Sequence, residues 1–240
     1  MHEFETFVYL DMEKTGSTFI SRLLNKFVPE PLVRQKHHEP MGKDFDPKKF
    51  YFISVRNPLD SYLSLYSFGC QQQGKVYARL RNNGHEDFYD GTDESFGRWL
   101  TFVMKPLHAK MMTDQYHQVG LADLLGLQSW RYLRLAVPDA EAKFKGCKTE
   151  DDIRRVYGEN KLPSFTVRHE SFVDDLCKLI EGPLGYAIGD VKGALEYARA
   201  TKPVNASARV DKEADAFRIR RRHERRLRER EWLMAELFGY

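Results

Sequence analysis

One order of elements occurs twice in the first 70 residues: an apolar run, a short polar turn and a helical pattern. The first copy joins apolar residues 7–10 to a helix through the turn Lys14–Thr18. The second joins residues 50–55 to a helix through the turn Arg56–Pro58. Each copy aims helical N–H groups and a cationic side chain at the carboxyl end of a strand, where open α/β sheets bind phosphate groups. The repetition predicts an α/β fold with a central, mostly parallel sheet flanked by helices.

The first turn has the residue types that an anion requires. Lys14 supplies a positive charge, and Gly16 lets the backbone approach a ligand closely. Ser17 and Thr18 supply hydroxyl groups and cap the start of the helix. The turn differs from the ATP-binding G-x-x-x-x-G-K-[ST] loop, because the lysine precedes the glycine and acidic residues occupy the upstream positions. An ordinary ATP or GTP site is therefore a poor fit.

Arg56 is the key residue of the second turn, since a guanidinium group can bind phosphate through two parallel hydrogen bonds. Ser64 follows eight residues later, about two helical turns on, and its hydroxyl can reach the same phosphate. A structural alternative stays open, in which Arg56 pairs with Asp60 one turn along the helix. A ligand with two separated negative groups would use both turns.

Taken together, the two turns resemble those of the sulfotransferases that use 3′-phosphoadenosine 5′-phosphosulfate (PAPS). The resemblance implies a P-loop-like fold in which the loop Glu13–Thr18, with Lys14 and Thr15, binds the 5′-phosphosulfate. It also implies that Arg56 and Ser64 bind the 3′-phosphate. Either turn alone would be a weak signal, whereas the pair is specific.

Similarity to the same family continues towards the end of the chain. Residues 167–172 look like the family's late strand, and residues 205–209 and 237–240 look like the tail of its bacterial and carbohydrate-type members. The similarity implies that three residues of this tail close over the cofactor: Asn205, Ser207 and Arg209. A plain polar linker is the alternative for that segment. Residues 69–160 show no such similarity.

Transfer of a sulfuryl group to a hydroxyl needs a general base, and histidine is the side chain best suited to that role near neutral pH. His37 and His38 lie between the two turns, in the region that supplies the base in carbohydrate-type family members. Neighbouring residues on an extended segment point to opposite faces, so we expect one of the two to serve. The sequence leaves that choice open and keeps Glu39 as a third candidate.

The implied reaction moves the sulfuryl group from PAPS to a hydroxyl acceptor, a carbohydrate or a small metabolite, and leaves adenosine 3′,5′-bisphosphate. Lys14 would stabilise the charge on the leaving phosphate, and no metal ion is expected. Two alternatives stay open. The first is a P-loop-type nucleotide kinase that uses ATP, and the second is a non-catalytic module that binds a nucleotide or a polyanion.

Composition limits the class of protein. With 240 residues and 42% hydrophobic content, the chain is long enough for a single domain over residues 1–240. The formal net charge of +3 is too small to predict a nucleic-acid partner, and three cysteines make neither a disulfide framework nor a zinc site. The sequence shows no signal peptide and no apolar stretch long enough to span a membrane, so we expect a cytoplasmic protein.

Several segments carry further expectations. The resemblance implies that residues 69–130 form an acceptor-binding insertion, and the start of this segment is a long, glycine-rich polar stretch. Residues 214–238 are predicted to form an amphipathic C-terminal helix whose arginine-rich face is solvated, with contact to an acidic polymer as the alternative. Residues 130–137 and 165–167 are predicted to be strands, and residues 172–180 a helix.

Overall fold

The computed structural model describes residues 1–112, 115–200 and 221–240, apart from the side chains of residues 221 and 222. Five strands are found in these residues: β1 (His2–Phe4), β2 (Phe7–Leu10), β3 (Leu32–Gln35), β4 (Phe50–Val55) and β5 (Phe165–Arg168). They form one sheet in the order β3-β1-β2-β4-β5. The predicted strand at residues 165–167 is thereby confirmed.

The sheet is mixed: it contains the expected parallel strands and one antiparallel strand, β1. β1 is antiparallel to both β2 and β3, whereas β2–β4 and β4–β5 are parallel pairs. The antiparallel strand arises because the chain turns back at Glu5 and Thr6 and forms a hairpin in which His2 faces Tyr9. Since β1 is antiparallel to both of its neighbours, β3 runs in the same direction as β2, β4 and β5. These four strands therefore end at one edge of the sheet.

The described residues also form eleven α-helices. They are α1 (Ser17–Phe27), α2 (Pro58–Cys70), α3 (Lys75–Asn82), α4 (Asp93–Val103), α5 (Leu127–Ala136), α6 (Ala140–Lys143), α7 (Glu150–Asn160), α8 (Phe172–Glu181), α9 (Val191–Ala200), α10 (Arg221–Arg230) and α11 (Trp232–Phe238). Both helices that follow the two predicted turns, α1 and α2, are confirmed, as is α8. Within the described ranges, no helix is both long and apolar enough to cross a lipid bilayer.

The chain divides into two compact units. The first consists of Met1–Arg56, Tyr132–Ala140 and Tyr157–Val204, and the second consists of Asn57–Arg131, Glu141–Val156 and Asn205–Tyr240. The sheet belongs to the first unit. Residues 69–130, the predicted acceptor-binding insertion, lie in the second unit, as does the described part of the predicted helix at residues 214–238, which is broken into α10 and α11.

The core of the first unit joins the sheet to α1, α8 and α9. α1 buries one face, because its apolar residues recur at helical spacing: Phe19, Ile20, Leu23 and Leu24. On the sheet, the rings of Tyr9 and Phe52 stack with their centroids 4.8 Å apart. Leu176 and Ile180 of α8 are buried in the same core. This packing fixes the position of the turn between β2 and α1.

Residues 130–137 form most of α5 and not the predicted strand. Every residue from Leu125 to Leu133 is buried, and Trp130 is fully so. A short run of buried residues cannot be assigned to a helix or to a strand by its periodicity alone. The apolar residues Trp130, Leu133 and Leu135 therefore looked like a buried strand.

A distant carboxylate, Glu231 between α10 and α11, binds the N-terminus of α5 in the second unit. Its Oε2 accepts hydrogen bonds from the backbone N–H and the hydroxyl of Ser129, both at 2.7 Å. Its Oε1 accepts from the Tyr62 hydroxyl at 2.6 Å and from the Gln128 N–H at 3.1 Å. Glu231 is 1% exposed. Four donors and the helix dipole together compensate the buried charge.

Candidate functional site

Residues from three strand ends meet at one edge of the sheet in the first unit. The loop up to Gly16 follows β2, Arg56 follows β4, and His37 and His38 follow β3. Nη1 of Arg56 donates a hydrogen bond to the backbone carbonyl of Lys14 at 3.4 Å. The two turns that the sequence singles out are therefore in contact.

The backbone of the first turn adopts the left-handed conformation at two residues. Lys14 has a φ of 65° and Gly16 a φ of 89°, and a lysine rarely adopts such an angle. Gly16 is the N-cap of α1, whose first turn holds neither a side-chain cap nor an acidic residue. Because no carboxylate in that turn offsets them, the first N–H groups of α1 and the positive end of its dipole suit an anion.

Gly16 lies under the ring of Phe172, the first residue of α8. A Cβ atom on Gly16 would be 2.7 Å from a carbon of that ring, so the close packing and the positive φ both require glycine. The predicted ligand residues around it differ in exposure: Lys14 and Ser17 are half-buried, and Thr18 is exposed. These side chains remain accessible at the edge of the sheet.

Thr15 differs from the other predicted ligands because its side chain is fully buried. Its hydroxyl donates to the carbonyl of Met12 at 2.8 Å and lies 2.6 Å from Ser54 Oγ, which in turn lies 2.6 Å from the Tyr9 hydroxyl. A hydroxyl has one hydrogen to donate, so Ser54 donates to Thr15 and Tyr9 donates to Ser54. The Thr15 hydroxyl thus anchors the loop to the sheet. Only the backbone of Thr15 is then available to contact a ligand.

Asp11, at the end of β2, is fully buried and holds the segment that carries the two histidines. Its Oδ2 lies 3.1 Å from Nδ1 of His37. Its Oδ1 accepts a hydrogen bond from the backbone N–H of His38 at 3.0 Å and forms an ion pair with the Met1 amino group. Burial by itself raises the pKa of Asp11, but the Met1 ammonium group and the His38 donor outweigh it and lower the pKa below its ordinary value. The carboxylate is therefore ionised at neutral pH.

His38 is held by its backbone as well as by its ring. Its Nδ1 lies 2.8 Å from the carbonyl oxygen of Asp11, and its own carbonyl accepts a hydrogen bond from Arg134 Nη1 at 3.2 Å. It has a φ of 56°, which is costly for a residue other than glycine. The side chain of His38 is 33% exposed, and that of His37 is 62% exposed. Both rings are therefore open to a substrate.

Glu39, the third candidate base, is occupied by two cations. Its carboxylate accepts hydrogen bonds from Arg34 Nη2 at 2.6 Å and from Lys36 Nζ at 3.1 Å. Desolvation raises the pKa of Glu39, but the hydrogen bonds from Lys36 and Arg34 more than offset it and lower the pKa below its usual range. An ion-paired carboxylate of this kind is a weak base, so the geometry favours the histidines.

Comparisons with protein-family models, with curated proteins and with solved structures found no match. The residues at the sheet edge therefore carry the functional interpretation by themselves.

A metal ion is a further ligand to consider, because atoms of His2, Asp11 and His37 lie within 4.8 Å of one another. Ser21 Oγ donates to the carbonyl of Ser17 at 2.8 Å, so it must accept from His2 Nε2, 2.9 Å away. Nε2 of His2 thus carries a hydrogen and offers no lone pair. Burial lowers the pKa of His2 to about 4, so the ring is neutral and its lone pair is on Nδ1. We assign no metal to this cluster.

We do not assign four further predicted ligand residues to this edge of the sheet. Ser64 lies half-buried on α2, in the second unit, whereas Arg56 ends the first. Their joint binding of the 3′-phosphate stays a prediction. Three predicted residues lie outside the described residues: Asn205, Ser207 and Arg209.

Asp11 is a residue of the candidate site that sequence reasoning did not select. The sequence places it in the turn before Lys14, where it counted only as an acidic residue that an ATP loop would lack. The available signal was its position directly after a fully buried strand, since side chains at such strand ends point into the site of an open α/β sheet. Its pairing with His37 depends on the β1–β3 register, which the sequence does not reveal.

Proposed function

We propose that the protein is a PAPS-dependent sulfotransferase with a P-loop-like strand–turn–helix site. It transfers a sulfuryl group to a hydroxyl of a carbohydrate or a small metabolite. The contact between Arg56 and the Lys14 carbonyl carries the proposal, because it joins two cationic turns at one sheet edge. A ligand with negative groups at two positions, as PAPS has, suits this pair better than a single phosphate does.

Each turn has a role in this proposal. Lys14 and the N–H groups at the start of α1 bind the 5′-phosphosulfate, and Gly16 allows the close approach of the backbone. Arg56 binds the 3′-phosphate through its guanidinium group. Ser64 is proposed as a second donor to that phosphate on the basis of the sequence resemblance alone.

The chemical step is an in-line displacement at sulfur. The acceptor oxygen forms a bond to sulfur while the bond between sulfur and the bridging phosphate oxygen breaks. The electron pair of the broken bond goes to that oxygen, where the Lys14 ammonium group and the α1 N–H groups stabilise the negative charge. The acceptor proton goes to an imidazole of the His37–His38 pair. The products are a sulfate ester and adenosine 3′,5′-bisphosphate.

A thermal-shift titration tests the ligand. Adenosine 3′,5′-bisphosphate at a hundredfold excess over its Kd should stabilise the protein by roughly 2.7 kcal/mol without added magnesium. ATP with magnesium should stabilise it far less. The reverse ranking would overturn the proposal in favour of an ATP-dependent kinase.

Two variants test the assigned roles. Arg56→Ala should weaken bisphosphate binding about tenfold to a hundredfold, as expected when a charged hydrogen-bond donor worth 1.5–3 kcal/mol is lost. Lys14→Gln should lower kcat for sulfuryl transfer by about a hundredfold. The matched controls, Arg22→Ala and Lys43→Ala, remove exposed cations of the same unit and should leave both quantities unchanged. Bisphosphate binding without transfer to any hydroxyl acceptor would identify a non-catalytic nucleotide-binding module.

A further inference from the structure

We propose that Asp11 is a positioning residue for His37, and that His37 rather than His38 is the base that accepts the acceptor's proton. This inference rests on the proposed function. It adds a carboxylate–imidazole pair to the site and settles a choice that the sequence leaves open.

The hydrogen-bond partners fix where the proton of His37 lies. The Asp11 carboxylate is ionised, so its oxygens only accept hydrogen bonds. Nδ1 of His37, 3.1 Å from Oδ2, must therefore be the nitrogen that carries the hydrogen. The lone pair of a neutral ring is then on Nε2. Because the side chain is 62% exposed and Asp11 is fully buried, the ring has its protonated side inward and its basic nitrogen available to a substrate.

His38 has a weaker partner. Its Nδ1 lies against the backbone carbonyl of Asp11, which also only accepts, so its Nε2 is likewise unprotonated in the neutral ring. Both histidines thus present the correct nitrogen. Nδ1 of His38 also lies 3.7 Å from Asp11 Oδ2, but this is too long for a hydrogen bond, whereas Nδ1 of His37 donates to that oxygen at 3.1 Å. A hydrogen bond to a carboxylate stabilises an imidazolium ion more than one to a neutral carbonyl does, so the geometry favours His37 as the base.

The backbone around His38 indicates that this arrangement is built into the fold. The left-handed conformation of His38 is held from two sides, by Asp11 Oδ1 on its N–H and by Arg134 on its carbonyl. A costly conformation persists only where the surrounding contacts determine it. Here it places the His37 ring against the second oxygen of the same carboxylate. Asp11 therefore orients the segment with one oxygen and the base with the other.

Replacing Asp11 with asparagine should invert this arrangement. The amide oxygen must take the Oδ1 position, because the His38 N–H facing it is a backbone donor that cannot become an acceptor. The amide NH2 then faces Nδ1 of His37 and donates to it. His37 is forced into the other tautomer, with the hydrogen on Nε2, and can no longer accept a proton there.

Nitrogen NMR of the full chain with labelled histidine tests the pair directly. Wild-type His37 should show a protonated Nδ1 and an unprotonated Nε2, and Asp11→Asn should exchange the two signals. Asp44→Asn removes an exposed carboxylate from the same unit and should leave the signals unchanged. A wild-type ring protonated on Nε2, or an Asp11→Asn ring that keeps its tautomer, would overturn the inference whatever the reaction proves to be.

Transfer kinetics provide the second test. Asp11→Asn and His37→Gln should lower kcat at least a hundredfold while changing the KM for PAPS less than threefold, because neither side chain binds the nucleotide. His38→Asn keeps a side chain tolerant of positive φ and should retain kcat within about fivefold. Loss of kcat in His38→Asn with normal turnover in His37→Gln would assign the base to His38. Failure of the wild type to bind adenosine 3′,5′-bisphosphate would instead reject the proposed function and leave the tautomer result standing.

Discussion

Glu231 and Ser129 are joined by two hydrogen bonds of 2.7 Å, one from the backbone N–H and one from the hydroxyl of the serine. The carboxylate thereby anchors the segment between α10 and α11 to the first turn of α5. These two bonds end on Oε2, and Oε1 accepts from the Tyr62 hydroxyl and the Gln128 N–H. Each oxygen therefore accepts two hydrogen bonds. A carboxylate, which has an acceptor oxygen on each side, fits this arrangement, whereas an amide does not.

We predict that Glu231→Gln destabilises the protein by about 1–3 kcal/mol, because the amide NH2 must face a donor whichever way it turns. Urea denaturation followed by circular dichroism measures the loss in the free energy of unfolding. Glu229→Gln is the control, since Glu229 is exposed and its ion pair with Arg225 is 3.7 Å long. An unfolding free energy of Glu231→Gln within 0.5 kcal/mol of the wild type would contradict the role given to this carboxylate.

The hydroxyl chain beneath the first turn should respond in a non-additive way. Ser54→Ala removes the Ser54 Oγ acceptor of the fully buried Tyr9 hydroxyl and should cost about 1–3 kcal/mol. Tyr9→Phe removes the donor of that hydrogen bond, so the double variant should be less destabilised than the sum of the two single variants. A double-mutant cycle in urea measures the coupling energy, expected at 0.5 kcal/mol or more. Strict additivity would mean that Tyr9 does not donate to Ser54.

Gly16→Ala should be destabilising for two separable reasons. The positive φ costs about 1–2 kcal/mol for any other residue, and contact with the Phe172 ring adds about 1–3 kcal/mol. Gly84→Ala is a matched control, because Gly84 also has a positive φ, 79°, but has no atom within 4 Å of a built Cβ. Thermal denaturation should therefore show a larger loss for Gly16→Ala than for Gly84→Ala. Equal losses would exclude the contact with Phe172 as a cause.

Stability should fall with acidification through the titration of His2. Burial lowers the pKa of His2 from 6.5 to about 4, so between these values the unfolded chain binds a proton that the folded chain does not. Stability is therefore complete above pH 6.5 and declines as the pH falls towards 4, by roughly 3 kcal/mol at most. Urea denaturation at a series of pH values measures this slope. His2→Gln should lack it in that interval; persistence of the full slope in His2→Gln would assign it to another group.

The sequence predicted those elements whose signal is local. Both strand–turn–helix copies, β5 and α8 have apolar residues at their own period and clear turn residues between them. The first hairpin was missed because Glu5 and Thr6 are not strong turn residues. α5 was misassigned because its short run of buried residues does not distinguish a helix from a strand by periodicity.

The same limit applies to the candidate site. Lys14, Gly16 and Arg56 belong to turns whose residue types indicate anion binding by themselves, so the sequence was sufficient to select them. Thr15 was selected with them although its hydroxyl faces the sheet, because a motif does not tell which side chain points inward. The pairing of Asp11 with His37 arises from the order of strands in the sheet and needed coordinates.

The ring that covers Gly16 belongs to Phe172, in the last third of the chain. A ribosome makes the chain from its N-terminus, so both turns are synthesised long before the residue that packs on the first of them. The nascent chain consequently carries the first turn without the ring that packs on it, and this contact forms only after β5 and the start of α8 have been synthesised. Completion of this site is therefore a late event in biosynthesis, set by the position of one aromatic residue.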